Sequence, residues 1–231
     1  MDSLGIVLLA LIVGIALGAA GAWLVLRRSA PQALLTDAAS TERLRATEAA
    51  ARGIAERFAV THFVHNAGVI RANLVEKTSA ADLVALAQLH LGAAITLVQA
   101  VLPAMKANGG GRIVLMCSRA ALGAPTRTVY SATKAGIIGL VRTWTLELSR
   151  HGITVNAVAP GPIGGTDMFH EVLPAGDPRI AGLAASIPMK RLGTPQDVAN
   201  AVRFFLSDAS GFVTGQTLYV CGGASVGQAP F

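Results

Sequence analysis

The sequence is poor in charge and in cysteine, and both shortages exclude whole classes of protein. Only 14% of its 231 residues are charged while 52% are apolar, a balance that rules out intrinsic disorder and suits either an α/β core or a chain with a membrane segment. The two cysteines, Cys117 and Cys221, stand far apart inside apolar runs. That spacing excludes a disulfide framework and a CxxC or other metal-ligand pattern, so no metal is expected and both thiols are read as buried and free. The formal charge is +6, but the arginines are scattered and never form the aromatic-laced basic run of a nucleic-acid groove, so no nucleic-acid partner is expected. There is no internal repeat and no low-complexity tract.

The most local shortage lies at the start, where no residue from Ser3 to Leu26 carries a charge. As a helix this run measures about 36 Å, enough to cross a hydrocarbon core of about 30 Å. Trp23 sits just inside Arg27 and Arg28, as an interfacial ring followed by cytoplasmic arginines would. Residues 1–28 therefore read as an N-terminal hydrophobic helix and membrane anchor with the rest facing the cytoplasm, 29–36 as a linker and 37–231 as one domain. Within the anchor Gly14 and Gly18 form a small-xxx-small pair suited to close helix approach. The competing reading makes "IVLLALIV" a first strand and "GIALGAAG" a glycine turn facing a dinucleotide in a soluble cytoplasmic protein. Against it, "ALGAAGAWLVL" is apolar on every side, whereas a crossover helix needs one polar face.

The remainder alternates helix and strand. Thr36 or Asp37 caps a helix through "TERLRATEAAARGIAERF", "VTHFVH" reads as a buried strand ending in the turn "NAG", and a long helix spans 79–108 with a bend expected at Pro103. Strand "RIVLMC", helix "YSATKAGIIGLVRTWTLELSR" closed by Gly152, and strand "ITVNAVA" follow. A glycine- and proline-rich loop runs from Gly161 to about Gly193. Thr194 then caps a helix with Pro195 in its first turn, and "QTLYVC" is the last strand. This order requires a parallel sheet with helices on both faces.

Tyr130 and Lys134 are one helical turn apart at the start of a helix, and Ser118 ends the preceding strand. Strand carboxyl ends and the following helix starts border one crevice in a parallel sheet, so the three side chains are expected to converge. Such a trio moves a proton to or from a carbonyl or alcohol oxygen, the serine fixing that oxygen and the ammonium lowering the tyrosine's pKa.

The series "HNAG" (65–68), "GRIVLMCS" (111–118), "YSATKAG" (130–136), "TVNAVAPGPI" (154–163), "RLGTPQDVANAV" (191–202) and "GFVTGQTLYVCGGAS" (211–225) resembles the short-chain dehydrogenase/reductase family in order and spacing, over about Leu35 to Val226. The resemblance implies a Rossmann-type domain that moves hydride between NAD or NADP and a small-molecule alcohol or carbonyl substrate. It implies Tyr130 as general acid/base, Lys134 as the group that tunes it and bonds the nicotinamide ribose, and Ser118 as the orienter of the substrate oxygen. His90 falls where the family usually has an asparagine that anchors a proton relay, and is read either as a relay member or as a packed core histidine. Asn66, Ala67 and Gly68 would lie beside the adenosine half, Pro160, Gly161 and Ile163 beside the nicotinamide, and Thr166 near its carboxamide or phosphates. Asn156 is read as a structural tie. The family's pairing helices imply a homo-oligomer.

One part of the family pattern is missing. Only 52 positions separate Gly14 from Asn66, too few for the family's first βαβ portion and its TGxxxGxG turn as well as the helix and strand already read there. Leu34 falls where an aspartate commonly meets the adenine. The expectation is therefore a partial Rossmann domain with a weakened pyrophosphate cradle and an exposed apolar edge at "THFVH". The alternative to an anchored oxidoreductase is a noncatalytic membrane-anchored module of the same type with impaired cofactor binding.

Overall fold

The computed structural model describes residues 38–227. The anchor and linker expected over 1–36, Leu34 included, lie outside the described residues. The chain divides into a unit ending at Arg45 and one beginning at Ala46. The first contributes only the opening turns of helix α1 (Ala38–Arg57) to what is described, and the remainder of the fold belongs to the second.

Four parallel strands form one sheet in the order β1-β2-β3-β4: β1 (His62–His65), β2 (Gly111–Met116), β3 (Ile153–Pro160) and β4 (Thr217–Val220). Successive strands are joined by helices, as parallel pairing demands. Between β1 and β2 run α2 (Ala80–Ala87), a π-helical turn (Gln88–Gly92) and α3 (Ala93–Ala107). Helix α4 (Thr128–Leu148) links β2 to β3. Between β3 and β4 come α5 (Asp167–Val172), α6 (Arg179–Ser186) and α7 (Pro195–Leu206).

Period-two alternation along the strands assigns the two faces. Ile113, Leu115, Val155 and Ala157 face α3 and α4, where Val98, Met105, Ile137 and Val141 complete a dry core. Val114, Met116 and Val158 face α7 through Ala201 and Phe205. Strand β3 is buried along nearly its whole length, and its one amide, Asn156, is fully buried. The side chain donates to the Val213 carbonyl at 2.8 Å and accepts from the Gln216 amide at 3.0 Å, which is the tie expected of it and the reason a polar group is tolerated there.

Helix ends follow local chemistry. Thr194 and Asp197 form a reciprocal capping box with Pro195 in the first turn of α7. Gly152 closes the α4 segment in the left-handed region at φ 70°, where a Cβ would lie 2.5 Å from the Gly109 carbonyl oxygen. Two sequence expectations need correction. The segment 161–193 is not all loop, because Thr166 caps α5 by accepting from the Phe169 amide and α6 follows it. The irregularity in the long helix is the π-turn at Gln88–Gly92, while Pro103 sits inside continuous α3.

Strand β1 is an edge among the described residues, where it pairs only with β2. Phe63 packs on the first core. Val64, in register with Val114, is 38% exposed; α7 covers the neighbouring strands β2, β3 and β4 on that face.

Gly152→Ala is expected to lower stability by about 2 kcal/mol, since neither the positive φ nor the backbone oxygen beside it can yield cheaply. Gly139→Ala, at an exposed mid-helix position with nothing near the added methyl, should instead raise stability by about 0.5–1 kcal/mol. Urea midpoints for the two variants check both signs.

Candidate active site

The carboxyl ends of β1, β2 and β3 and the start of α4 open on one cleft of about 870 Å³. Asn66 and Gly68 line it beyond β1, Cys117 and Ser118 beyond β2, Pro160, Gly161 and Ile163 beyond β3, with Tyr130 and Lys134 from α4 and Thr166 at the start of α5. Ala67 lies between two lining residues, is exposed and forms no part of the wall.

Ser118 is extended and caps a 3-10 turn, its Oγ accepting from the Ala120 amide at 3.1 Å. That turn aims the serine back over the end of β2 instead of continuing the strand. Tyr130 is buried and burial pushes its phenol above the ordinary range, partly offset by a hydrogen bond with the Ser118 side chain and by the charge of Arg127. The two residues expected to handle one substrate atom thus line the same cleft.

Lys134 is also buried, and its Nζ donates to the Met116 carbonyl at 2.8 Å. Burial lowers its pKa to about 8. Its ammonium lies 5.6 Å from the centroid of the Tyr130 ring, over the ring face. The expected lowering of the phenol by this amine is not what the arrangement produces. The amine is drawn to the strand end, and the groups that pull the phenol down are Ser118 and Arg127.

His90 occupies the π-turn and has no exposed surface. The Thr133 hydroxyl donates its one proton to the Tyr130 carbonyl, so its contact with His90 Nδ1 at 2.8 Å makes that nitrogen the donor. Nε2 accepts from the Val69 amide at 3.3 Å. Burial, then the charges of Lys134 and His65, lower the pKa to about 3. A ring with both nitrogens committed and no proton to gain near neutrality does not fit a relay, so of the two readings this geometry matches the packed one. Its ring stands edge-on to Tyr130 with centroids 5.6 Å apart and so supports the tyrosine.

Gly68 owes its identity to the same cluster, because a Cβ there would come within 3.1 Å of His90 Nε2 and 3.3 Å of Lys134 Nζ. At Gly161 a Cβ would meet Cys221 Cβ at 2.6 Å. Thr166 donates to the Ile163 carbonyl at 3.3 Å while it caps α5, so its hydroxyl is engaged even as it lines the cleft.

Sequence reasoning missed several wall residues. Arg119 and Arg127 line the cleft beside Ser118 and Tyr130, and Met168, Phe169, Val172 and Leu173 form an apolar wall. The arginines were legible as neighbours of the motif residues, but nothing in a mixed helix of six residues, DMFHEV, marks it as a cleft wall. His65 is buried with Nε2 unpartnered, and burial lowers its pKa.

Comparison with known proteins now decides the family. The model of a family described as enoyl-(acyl carrier protein) reductase matches residues 21–225. A subunit of (2S)-[(R)-hydroxy(phenyl)methyl]succinyl-CoA dehydrogenase from Thauera aromatica is 47% identical over 163 residues, 71% of this chain and 64% of that protein. The chain belongs to the short-chain dehydrogenase/reductase family. The 3-oxoacyl-[acyl-carrier-protein] reductase of Escherichia coli is 38% identical over 161 residues, 69% of this chain and 64% of that one. A gluconate 5-dehydrogenase from Burkholderia cenocepacia, solved in complex with NADP and tartrate, superposes with a TM-score of 0.71 at 30% identity, covering 78% of this chain and 72% of that one. The alignments thus span just under two thirds of the length of these curated relatives.

His90 should stay neutral, as the Nδ1–H tautomer, from pH 9 to about 4. Long-range ¹⁵N–¹H NMR of the ring checks this, and an imidazolium signal at pH 6 would contradict the geometry. The folded pKa of about 3 lies below the unfolded value of about 6.5, so between them the unfolded chain binds the proton that the native ring refuses. That contribution to stability is complete above about pH 6.5 and falls as pH drops toward 3; in His90→Gln this part of the acid dependence should vanish.

Proposed function

We propose that the protein is an NAD(P)-dependent oxidoreductase acting on an alcohol or carbonyl compound. One observation carries the reading: Ser118, Tyr130 and Lys134, from the end of β2 and the start of α4, line one cleft. Bound NAD(P) would supply or accept the hydride. Toward it the chain offers Asn66, Gly68, Pro160, Gly161, Ile163 and Thr166, together with Lys134, whose ammonium has three donors and gives one to Met116. These residues fit the nicotinamide and ribose half, where uncharged donors and close backbone approach suffice. No glycine-rich pyrophosphate cradle occurs among the described residues.

A phenol held above its ordinary range is protonated at neutral pH, which suits Tyr130 to the reductive direction. As the carbonyl carbon gains hydride, its oxygen takes the Tyr130 proton and becomes the alcohol. Ser118 holds that oxygen in place. His90, through Thr133 and its ring contact, keeps Tyr130 in position, and it acts as a positioning residue.

Tyr130→Phe removes the transferable proton and little else, so kcat for carbonyl reduction should drop about 10²–10⁴-fold with NADH or NADPH affinity, followed by fluorescence, nearly unchanged. Unaltered turnover in this variant would overturn the assignment. The absence of any saturable cofactor signal at millimolar concentration would favour a noncatalytic module.

Attachment to a membrane through residues 4–26 is part of the proposal, supported by the uncharged run and the Arg27–Arg28 pair that follows it. Lipid burial survives screening whereas basic adhesion does not. The protein is therefore expected to stay with membranes through a high-salt wash, and its release would refute the anchor.

A further inference from the structure

The cleft wall has a one-sided charge. Arg119, Arg127, Lys134 and Arg203 line it, and no aspartate or glutamate does. Arg203 is exposed on α7, but Arg119 and Arg127 are half-buried and flank the reacting end, one directly after Ser118 and the other one turn before Tyr130. The ion pairs among the described residues engage other arginines. Two guanidinium groups are thus partly withdrawn from water beside the catalytic pair without a carboxylate on either, an arrangement that folding alone does not favour.

Arg127 is moreover held in place. Its backbone forms a bridge with Asn73, and its Nη1 donates to the Thr126 carbonyl at 3.3 Å and hydroxyl at 2.6 Å. Thr126 makes these contacts from φ 62°, a conformation costly for a β-branched residue. A strained residue thereby fixes a cation that no carboxylate among the described residues neutralises. The same cleft is lined by Met168, Phe169, Val172 and Leu173, which offer nothing to a polar ligand body.

Building on the oxidoreductase reading, we propose that the substrate is an oxo or hydroxy carboxylate with an apolar body, its carboxylate held by Arg127 and Arg119 and its carbon skeleton against the α5 wall. A planar guanidinium matches a carboxylate with two parallel hydrogen bonds. The phosphates of a dinucleotide are a poor alternative occupant, because they lie at a distance from the nicotinamide ring, and the nicotinamide itself is an uncharged amide. The carboxylate would sit close to the oxygen that Ser118 and Tyr130 handle, so a short spacing of two or three carbons between acid and reacting carbon is expected.

The test does not need turnover. The full chain is titrated calorimetrically with 4-phenylbutanoate and, separately, with neutral 4-phenylbutanamide. The acid should bind at least 10-fold more tightly, the difference shrinking as salt is raised. In Arg127→Gln the acid should fall to the affinity of the amide while the amide itself is unchanged, which also shows that the cleft still folds; Arg127→Lys should recover part of the preference. Equal affinities in the wild type, or a preference that survives in the Arg119→Gln/Arg127→Gln double variant, would overturn the inference. Equal reduction of a neutral ketone and its carboxylate analogue would sink the carboxylate proposal and leave the oxidoreductase standing. Selective acid binding without turnover of any carbonyl would do the reverse.

Discussion

The amine of Lys134 ties the second turn of α4 to the last carbonyl of β2, and the arrangement of the site depends on that bond. Met116 is the final residue of its strand, and its carbonyl has no further strand partner in the ladder. Left alone in a buried position, such a group costs about 1–3 kcal/mol. Lys134 removes the cost and in doing so fixes the register between sheet and helix. Tyr130, one turn earlier, is then set over Ser118, two residues beyond Met116.

The histidine beside this pair reinforces the same geometry. His90 donates to Thr133, which donates to the Tyr130 carbonyl, and accepts from Val69 beyond the β1 turn. His90 lies within the π-turn at Gln88–Gly92, whose wider turn shifts the phase of the helix on either side of it. The β1 turn, the long helix and α4 are therefore joined through one imidazole. A Cβ at position 68 would lie 3.1 Å from His90 Nε2 and 3.3 Å from Lys134 Nζ, so a side chain there would press both groups out of place, and one glycine serves both the fold and the open floor of the cleft.

The sequence pattern was informative where local chemistry decides the outcome. Alternation of strand and helix predicted the parallel sheet. Thr194 and Gly152 marked helix ends at their observed places, and YxxxK with the preceding Ser118 picked out residues that meet in one cleft. What escaped were features decided by tertiary packing. Nothing in "QLHLG" announces a π-turn. The direction of the Tyr130 shift was misjudged because spacing shows that Lys134 shares its face but not that the amine reaches to Met116. Helices α5 and α6 are too short for periodicity to reveal them among the glycines and prolines around them.

The electrostatics of the cleft follow from these contacts. Lys134, His65 and His90 are buried bases within range of each other's charge, and no acid among the cleft-lining residues neutralises them. Burial is the leading cause of the lowered proton affinity in all three, and for the histidines the charge of Lys134 adds to it. The two imidazoles respond by remaining neutral and serving as packing elements, which leaves Lys134 as the buried member able to carry charge near neutrality. A group poised in this way responds to what enters the cleft. An electron-rich ligand beside it favours the ammonium, and by reciprocity the ammonium favours that ligand. The phenol answers in the opposite sense, since negative charge nearby raises its pKa further and keeps it a proton donor. A cleft walled by cations with no lining carboxylate is in this respect self-consistent: an anion entering it would relieve the arginines and, by the same charge, hold Tyr130 in its protonated form.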